Sequence, residues 1–202
     1  MKRIVLLLLL LVLASQSFLL APSEINSALI AFSSVSEVKV GDQFTVDVLV
    51  ESVVDLAGWQ ANLLFDSDIL EFKQVVEGSF LKQEGGQTFW QPGKSDMKRG
   101  TVSGISAAFL GQGGVSGTGK LLTITFKAKL AGVSVLDLGN LHLGDPSGSN
   151  IQHRVETGRV DVVDLPAWDV NGDGSVNIFD LILVAQNFGQ QSLTNPRVDV
   201  KK

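Results

Sequence analysis

Apolar and polar residues alternate with a period of two through most of the chain between residues 29 and 163. Phe44, Val46, Val48 and Val50 alternate with Gln43, Thr45, Asp47 and Leu49. Trp59, Ala61, Leu63 and Phe65 alternate with Gln60, Asn62 and Leu64, and Leu122, Ile124, Phe126, Ala128 and Leu130 alternate with Thr123, Thr125, Lys127 and Lys129. Successive side chains of a strand point to opposite faces, so each run predicts a strand with one face buried. Shorter runs predict strands over 37–40, 70–76, 88–91, 101–109, 134–138 and 159–163. Glycine, proline and aspartate predict turns at 41–42, 85–86, 92–93, 111–119 and 144–148. Eight or nine strands with no helical period between them imply an all-β chain folded as an antiparallel sandwich of two sheets.

The period changes near the C-terminus. Ile178, Leu181, Ile182, Ala185 and Phe188 share one helical face, which Leu183 and Val184 widen. Asn177 can cap the start of this helix and Gly189 can end it. Immediately before it, Asp169-Val170-Asn171-Gly172-Asp173-Gly174-Ser175-Val176-Asn177-Ile178-Phe179-Asp180 carries oxygen side chains at positions 1, 3, 5, 9 and 12 and glycine at position 6. A hard cation needs six to eight oxygen ligands, and a twelve-residue loop can wrap them around one point if the backbone turns sharply at its middle. Gly174 permits that turn. The ligand set predicted for Ca²⁺ is the side chains of Asp169, Asn171 and Asp173, the carbonyl of Ser175, Asn177 through a water, and the carboxylate of Asp180. Without cysteine, and with His142 and His153 outside the loop, softer metals find few donors.

Such loops usually end in glutamate, and this one ends in Asp180. With Asp at position 12 and the run Leu181 to Gly189 behind it, the segment 169–189 resembles one repeat of a dockerin, the calcium-binding module of cellulosome-type assemblies. Dockerins have two repeats. A second loop starts at Asp199, but Lys201 stands at its third position and the sequence stops at Lys202, so the resemblance covers half a dockerin, with 190–202 as a tail or truncated second repeat. Ile178 and Phe179 match places where dockerins often carry partner-reading residues, and both are apolar here.

A second resemblance lies upstream. Val38-Lys39-Val40-Gly41-Asp42-Gln43-Phe44-Thr45-Val46, then Ala57-Gly58-Trp59-Gln60-Ala61-Asn62-Leu63-Leu64-Phe65-Asp66 and Ile69-Leu70-Glu71-Phe72, is similar to the opening half of a cohesin domain. The stretch 119–128 matches the strand that cohesins place after a glycine-rich loop, and the similarity spans 25–164. It implies a jelly-roll sandwich of about nine strands whose relatives bind dockerins or, in related modules, polysaccharide. Residues 165–168 are then a linker to the calcium-loop and helix appendage.

Composition narrows the class. Lys2 and Arg3, an apolar run over 4–14 and the small residues that follow fit a secretory signal peptide over 1–21, cleaved after Ser17 or Ala21. The run is short for a membrane span of about 20 apolar residues. An exported domain without cysteine holds together by packing rather than by disulfides. Removing Lys2 and Arg3 leaves 14 basic against 21 acidic side chains, a balance that disfavours nucleic acid and anionic membranes as partners.

No constellation of catalytic residues stands out. Asp66, Asp68 and Glu71 could in principle supply a glycosidase pair, but Asp-Ser-Asp before an apolar run makes an ordinary turn. No Gly-x-Ser-x-Gly elbow follows a strand, and the glycines of 111–119 lack the Lys-Ser/Thr ending of a phosphate loop. For sugar stacking the candidates are Trp59, Phe89 and Trp90. Trp59 is in phase with core positions, Trp90 is open to either role, and tyrosine is absent. The sequence therefore predicts a secreted or cell-surface, non-catalytic protein acting in calcium-dependent cohesin–dockerin-type assembly, with a dockerin- or cohesin-like partner or a second copy of itself. The alternative is a polysaccharide-binding module. One short helix without its second repeat needs a cover, which can be the chain's own sandwich, a second copy or a cohesin-like partner. The short linker favours the chain's own sandwich, with Trp168 as a wedge and Phe179 either packed against Trp168 or the sandwich or turned outward as a partner anchor.

Overall fold

A computed structural model describes residues 27–35, 37–164, 166, 168–173 and 175–188. The predicted leader 1–21, the tail 190–202, Gly174, Gly189 and the linker residues Leu165 and Ala167 lie outside the described residues. Eleven strands are present among those described: β1 (Ala28–Phe32), β2 (Val38–Lys39), β3 (Gln43–Leu56), β4 (Gly58–Leu64), β5 (Leu70–Glu77), β6 (Thr88–Asp96), β7 (Thr101–Phe109), β8 (Val115–Ala128), β9 (Gly132–Gly144), β10 (His153–Glu156) and β11 (Gly158–Val163). A 3-10 helix, Phe80–Gly85, joins β5 to β6, and helix α1 (Ile178–Asn187) follows the sandwich.

One sheet has the order β10-β1-β3-β8-β5 and the other β2-β11-β9-β4-β7-β6. Both ends of the domain change sheet part-way: β1 and β10 pair in parallel in the first sheet, β2 and β11 in the second. Counted as two sheet-switching strands, these four segments bring the total to the expected nine. The two parallel pairs modify the expectation of a purely antiparallel sandwich. They arise because the first and last strands lie side by side and cross together, closing one edge of both sheets.

The predicted alternation is what faces the core. Val46, Val48 and Val50 of β3, Trp59, Ala61 and Leu63 of β4, and Leu122, Ile124 and Phe126 of β8 are all buried. Phe126 is fully enclosed at the centre of an aromatic cluster, its ring 5.2 Å from that of Phe65, 5.9 Å from Phe44 and 6.3 Å from Phe72. Such tilted and edge-on contacts add to the burial of ring area.

Two predicted turns are strand. Pro92 and Gly93 lie within β6, which is the edge of its sheet, where a residue without an N–H costs no ladder bond on the open side. Only the start of 111–119 is a turn, because β8 begins at Val115. Its glycines serve close approach instead: a Cβ at Gly119 would lie 2.7 Å from the Phe80 ring, and one at Gly114 would lie 2.4 Å from the Asp55 backbone. The carboxylate of Asp55 accepts a hydrogen bond from Gly114 N at 2.7 Å, pinning this crossing.

Candidate functional site

Two regions carry recognition chemistry, the loop before α1 and the outer face of the six-stranded sheet. In the loop, Asp169 Oδ1 accepts hydrogen bonds from Gly172 N (2.8 Å) and Asp173 N (3.1 Å), Asn171 Oδ1 from Asp173 N (2.9 Å), and Asp173 Oδ1 from Ser175 N (2.8 Å). Each side chain thus turns the backbone two to four residues ahead of it. Asp180 closes the circle. Its Oδ1 accepts from Val170 N (2.7 Å) and Asn171 N (3.1 Å), while Oδ2 accepts from Asn177 N (2.8 Å). Asn177 Oδ1 in turn accepts from Phe179 N at 2.8 Å, so the predicted cap is present and is reciprocal.

Asp169 and Asp180 are 1% and 2% exposed, whereas Asn171, Asp173 and Ser175 lie at the surface. The amides of Asn177, Asn171 and Val170 hold the Asp180 carboxyl below the usual carboxylate range, outweighing the effect of its burial. The loop gathers the six predicted positions at one end of α1. Among the described residues, though, no group of three or more acidic, histidine or cysteine side chains closes into a metal-ligand cluster. The donor chemistry fits a hard cation: every donor is oxygen, and two carboxylates are already sequestered from water.

The helix behind the loop is not docked as expected. Ile178, Phe179, Leu181 and Phe188 are 61%, 65%, 64% and 74% exposed, and α1 makes no extended contact with either sheet. Trp168, 77% exposed, is no wedge. With Val170, Val176, Leu181 and Val184 it lines an open apolar cleft of about 320 Å³. The reason lies in the loop itself, whose hydrogen bonds tie the helix start to Val170 and Asn171 rather than to a strand.

On the six-stranded sheet, Gly144 of β9, Gly58 of β4, Ala108 of β7 and Phe89 of β6 stand in one row, because Gly58 pairs with both Gly144 and Ala108, and Ala108 pairs with Phe89. The next row holds His142, Gln60 and Ser106. Three residues with little or no side chain beside a 56% exposed Phe89 leave a shallow depression of about 290 Å³, with no carboxylate, ammonium or guanidinium in its lining. The outer face of the five-stranded sheet is the reverse. There Lys120 pairs with Asp47 at 2.7 Å, Lys73 with Glu71 at 2.7 Å, and Glu51, Lys127, Arg154 and Glu156 also face outward. Burial opposes ionisation of Asp47, but the Lys120 ammonium and the Thr123 hydroxyl outweigh it and keep its pKa low.

The residues weighed for other chemistry fall into structural roles. Asp66 Oδ1 accepts from Asp68 N at 2.9 Å, which is the ordinary turn expected of Asp-Ser-Asp. Trp59 is 5% exposed, and the half-buried Trp90 packs its ring 6.1 Å away, so both indoles belong to the core edge and Phe89 alone faces solvent. Sequence reasoning named Phe89 only for sugar and missed the row of small residues. Its signal was available in principle, since Gly58, Ala108 and Gly144 interrupt runs of large side chains, but the register that aligns them is not local.

A family model for the cohesin domain matches residues 30–162. No curated protein matches. Among solved structures, a non-cellulosomal cohesin of the archaeon Archaeoglobus fulgidus is 20% identical with a TM-score of 0.54, over 68% of this chain and 91% of that one. The cohesin of a type I cohesin–dockerin complex from Clostridium thermocellum is 15% identical with a TM-score of 0.56, over 68% and 100%. A cohesin module of a family 33 glycoside hydrolase from Clostridium perfringens is 15% identical with a TM-score of 0.55, over 68% and 96%. At these identities the structures speak for the fold, a jelly-roll sandwich of two sheets, and the family match speaks for membership. This chain belongs to the cohesin domain family, whose members are non-catalytic protein–protein modules.

Proposed function

We propose that this is an exported scaffolding protein that captures a dockerin-type partner on the outer face of β9, β4, β7 and β6, and whose C-terminal loop binds calcium. The observation that carries the docking reading is the contrast between faces. Only the six-stranded sheet offers a charge-free row of small residues where a helix backbone could approach closely, with Phe89 beside it as an aromatic anchor. Solved structures similar to this chain include cohesins in complex with dockerins, which supports the same partner class here. Export rests on the leader read at 1–21.

Calcium would be held by Asp169, Asn171, Asp173, the Ser175 carbonyl, Asn177 through a water, and Asp180. The ion would supply positive charge to a loop whose Asp169 and Asp180 carboxylates are buried, and so would stabilise the folded appendage. Extracellular sites of this kind bind with dissociation constants of about 10⁻⁴ to 10⁻³ M.

Calorimetry tests both parts. Titration of a panel of two-repeat dockerins into the mature protein should give one saturable site, lost in Ala108→Arg while the melting temperature stays unchanged. Titration of calcium alone should give one site, lost in an Asp169→Ala, Asp173→Ala double variant. An Ala108→Arg protein that binds dockerin as well as the parent would remove the docking face, and the absence of calcium binding at tens of millimolar would remove the metal. Polysaccharide capture has only Phe89 in its favour. Retention on insoluble glycans that disappears in Phe89→Ala, with no dockerin binding, would make it the better reading.

A further inference from the structure

The exposed face of α1 and the depression on the six-stranded sheet are both uncharged, and the two cannot meet within one molecule. On the side of Leu181 and the cleft, Trp168, Val176, Ile178, Leu181 and Phe188 together expose on the order of 700 Å², against the roughly 800 Å² per partner that a standard interface buries. That is a large apolar surface to leave in water on a segment with so little core of its own. The single charge on α1, Asp180, is buried in the loop, so the helix surface is uncharged, as is the lining of the depression. On a chain with a net charge of −5, uncharged patches are where two copies can approach with least repulsion.

Reach decides between a contact within one chain and a contact between two. The chain leaves the sandwich at the end of β11, where Val162 pairs with Gly132, while the depression lies at the other end of β9, where Gly144 pairs with Gly58. Twelve residues of β9 separate those points, about 40 Å at a strand's rise. From Asp164 to Asp169 the chain spans at most about 18 Å. The hydrogen bond from Val170 N to Asp180 holds the first turn of α1 beside the loop's start, so Leu181 and its cleft stay at the wrong end of their own sandwich.

We propose that α1 of one copy docks on the outer face of β9, β4, β7 and β6 of a second copy. Its first turn lies over Gly58, Ala108 and Gly144, and the Phe89 ring enters the cleft beside Trp168. This rests on the docking-face reading above and names that face's occupant. The contact is heterologous, with the helix on one side and the sheet on the other, so each copy keeps one free helix and one free face and the assembly grows as an open chain.

Sedimentation velocity on the mature protein in millimolar calcium tests this. The weight-average sedimentation coefficient should rise with concentration from micromolar upward. Leu181→Asp alters only the helix, Ala108→Arg and Phe89→Ala only the face, and each should reduce self-association by about tenfold or more. An equimolar mixture of Leu181→Asp and Ala108→Arg retains one intact helix and one intact face, and should give a discrete 1:1 dimer. Association that persists in all the variants would overturn the geometry. A wild-type protein that stays monomeric yet binds a two-repeat dockerin at the same face, with loss in Ala108→Arg, would overturn self-docking while leaving the docking face standing. Neither association nor dockerin binding would overturn both.

Discussion

The sandwich and the appendage spend their hydrophobic residues in opposite ways. In the sandwich, Leu63, Ile105, Leu122, Ile124, Phe126 and Leu136 are almost wholly enclosed, each meeting the facing sheet across the core. In the appendage, Ile178, Phe179, Leu181 and Phe188 are more than half exposed, and the two most enclosed side chains are the carboxylates Asp169 and Asp180. The first region is held by apolar area removed from water, a non-directional force that grows with contact. The second is held by hydrogen bonds from backbone amides to two acids. A helix of this length is marginal alone, so its order depends on those acids and on whatever meets its outer face.

The difference is tested most severely at Phe126. Replacing it with alanine removes a ring enclosed by three others and leaves a cavity, at a cost of about 3–5 kcal/mol. Urea denaturation should show that loss in a single transition shared by both sheets, and added calcium should not restore it. A cost below about 1 kcal/mol would mean the aromatic cluster is looser than its geometry implies.

How far the sequence was legible follows the same divide. Strands that alternate over seven or more residues, such as β3, β4 and β8, are visible because one face of each is committed to the core along most of its length. β1 and β10 escaped because each is half of a strand that changes sheet, too short for a period to show. Pro92 and the glycines of 111–119 misled because residues that break structure locally also mark edge strands and close crossings. At the appendage, spacing alone identified the cap at Asn177, since it is a local arrangement. The exposure of α1 was not legible: an apolar helical face announces that something covers it and carries no information about what does.

A second prediction strikes the appendage without touching the sandwich. Asp180→Ala removes the acceptor for the amides of Val170, Asn171 and Asn177 together, so amides of α1 should lose hydrogen-exchange protection while those of β3 and β8 keep theirs. Acid should imitate the mutation. The Asp180 pKa is lower in the folded loop than its unfolded value near 4, so its contribution is present above that value and is lost as pH falls through the folded pKa. Exchange measured between pH 5 and pH 2 should therefore show α1 opening in the acid limb before the sandwich does. An appendage that survives Asp180→Ala with full protection would mean that the loop is not what holds it.

The smallest expected effect is the most diagnostic. Phe179 is as large as Phe126 and stands in a regular helix, so a helix packed on its own domain would lose several kcal/mol when that ring is truncated. Here the ring is 65% exposed and α1 makes no extended contact with a strand. In dilute solution, where copies do not meet, Phe179→Ser should change the unfolding free energy of the sandwich by no more than about 0.5 kcal/mol. It should only slightly reduce the helicity of α1, since serine is a somewhat poorer helix former in this first turn. Raising the protein concentration should then separate the variants: the parent gains protection on α1 as copies associate, and Phe179→Ser gains less. A loss of 2 kcal/mol or more already in dilute solution would instead mean that α1 folds back on its own sandwich, and the division between a self-sufficient core and a helix waiting for a partner would fail.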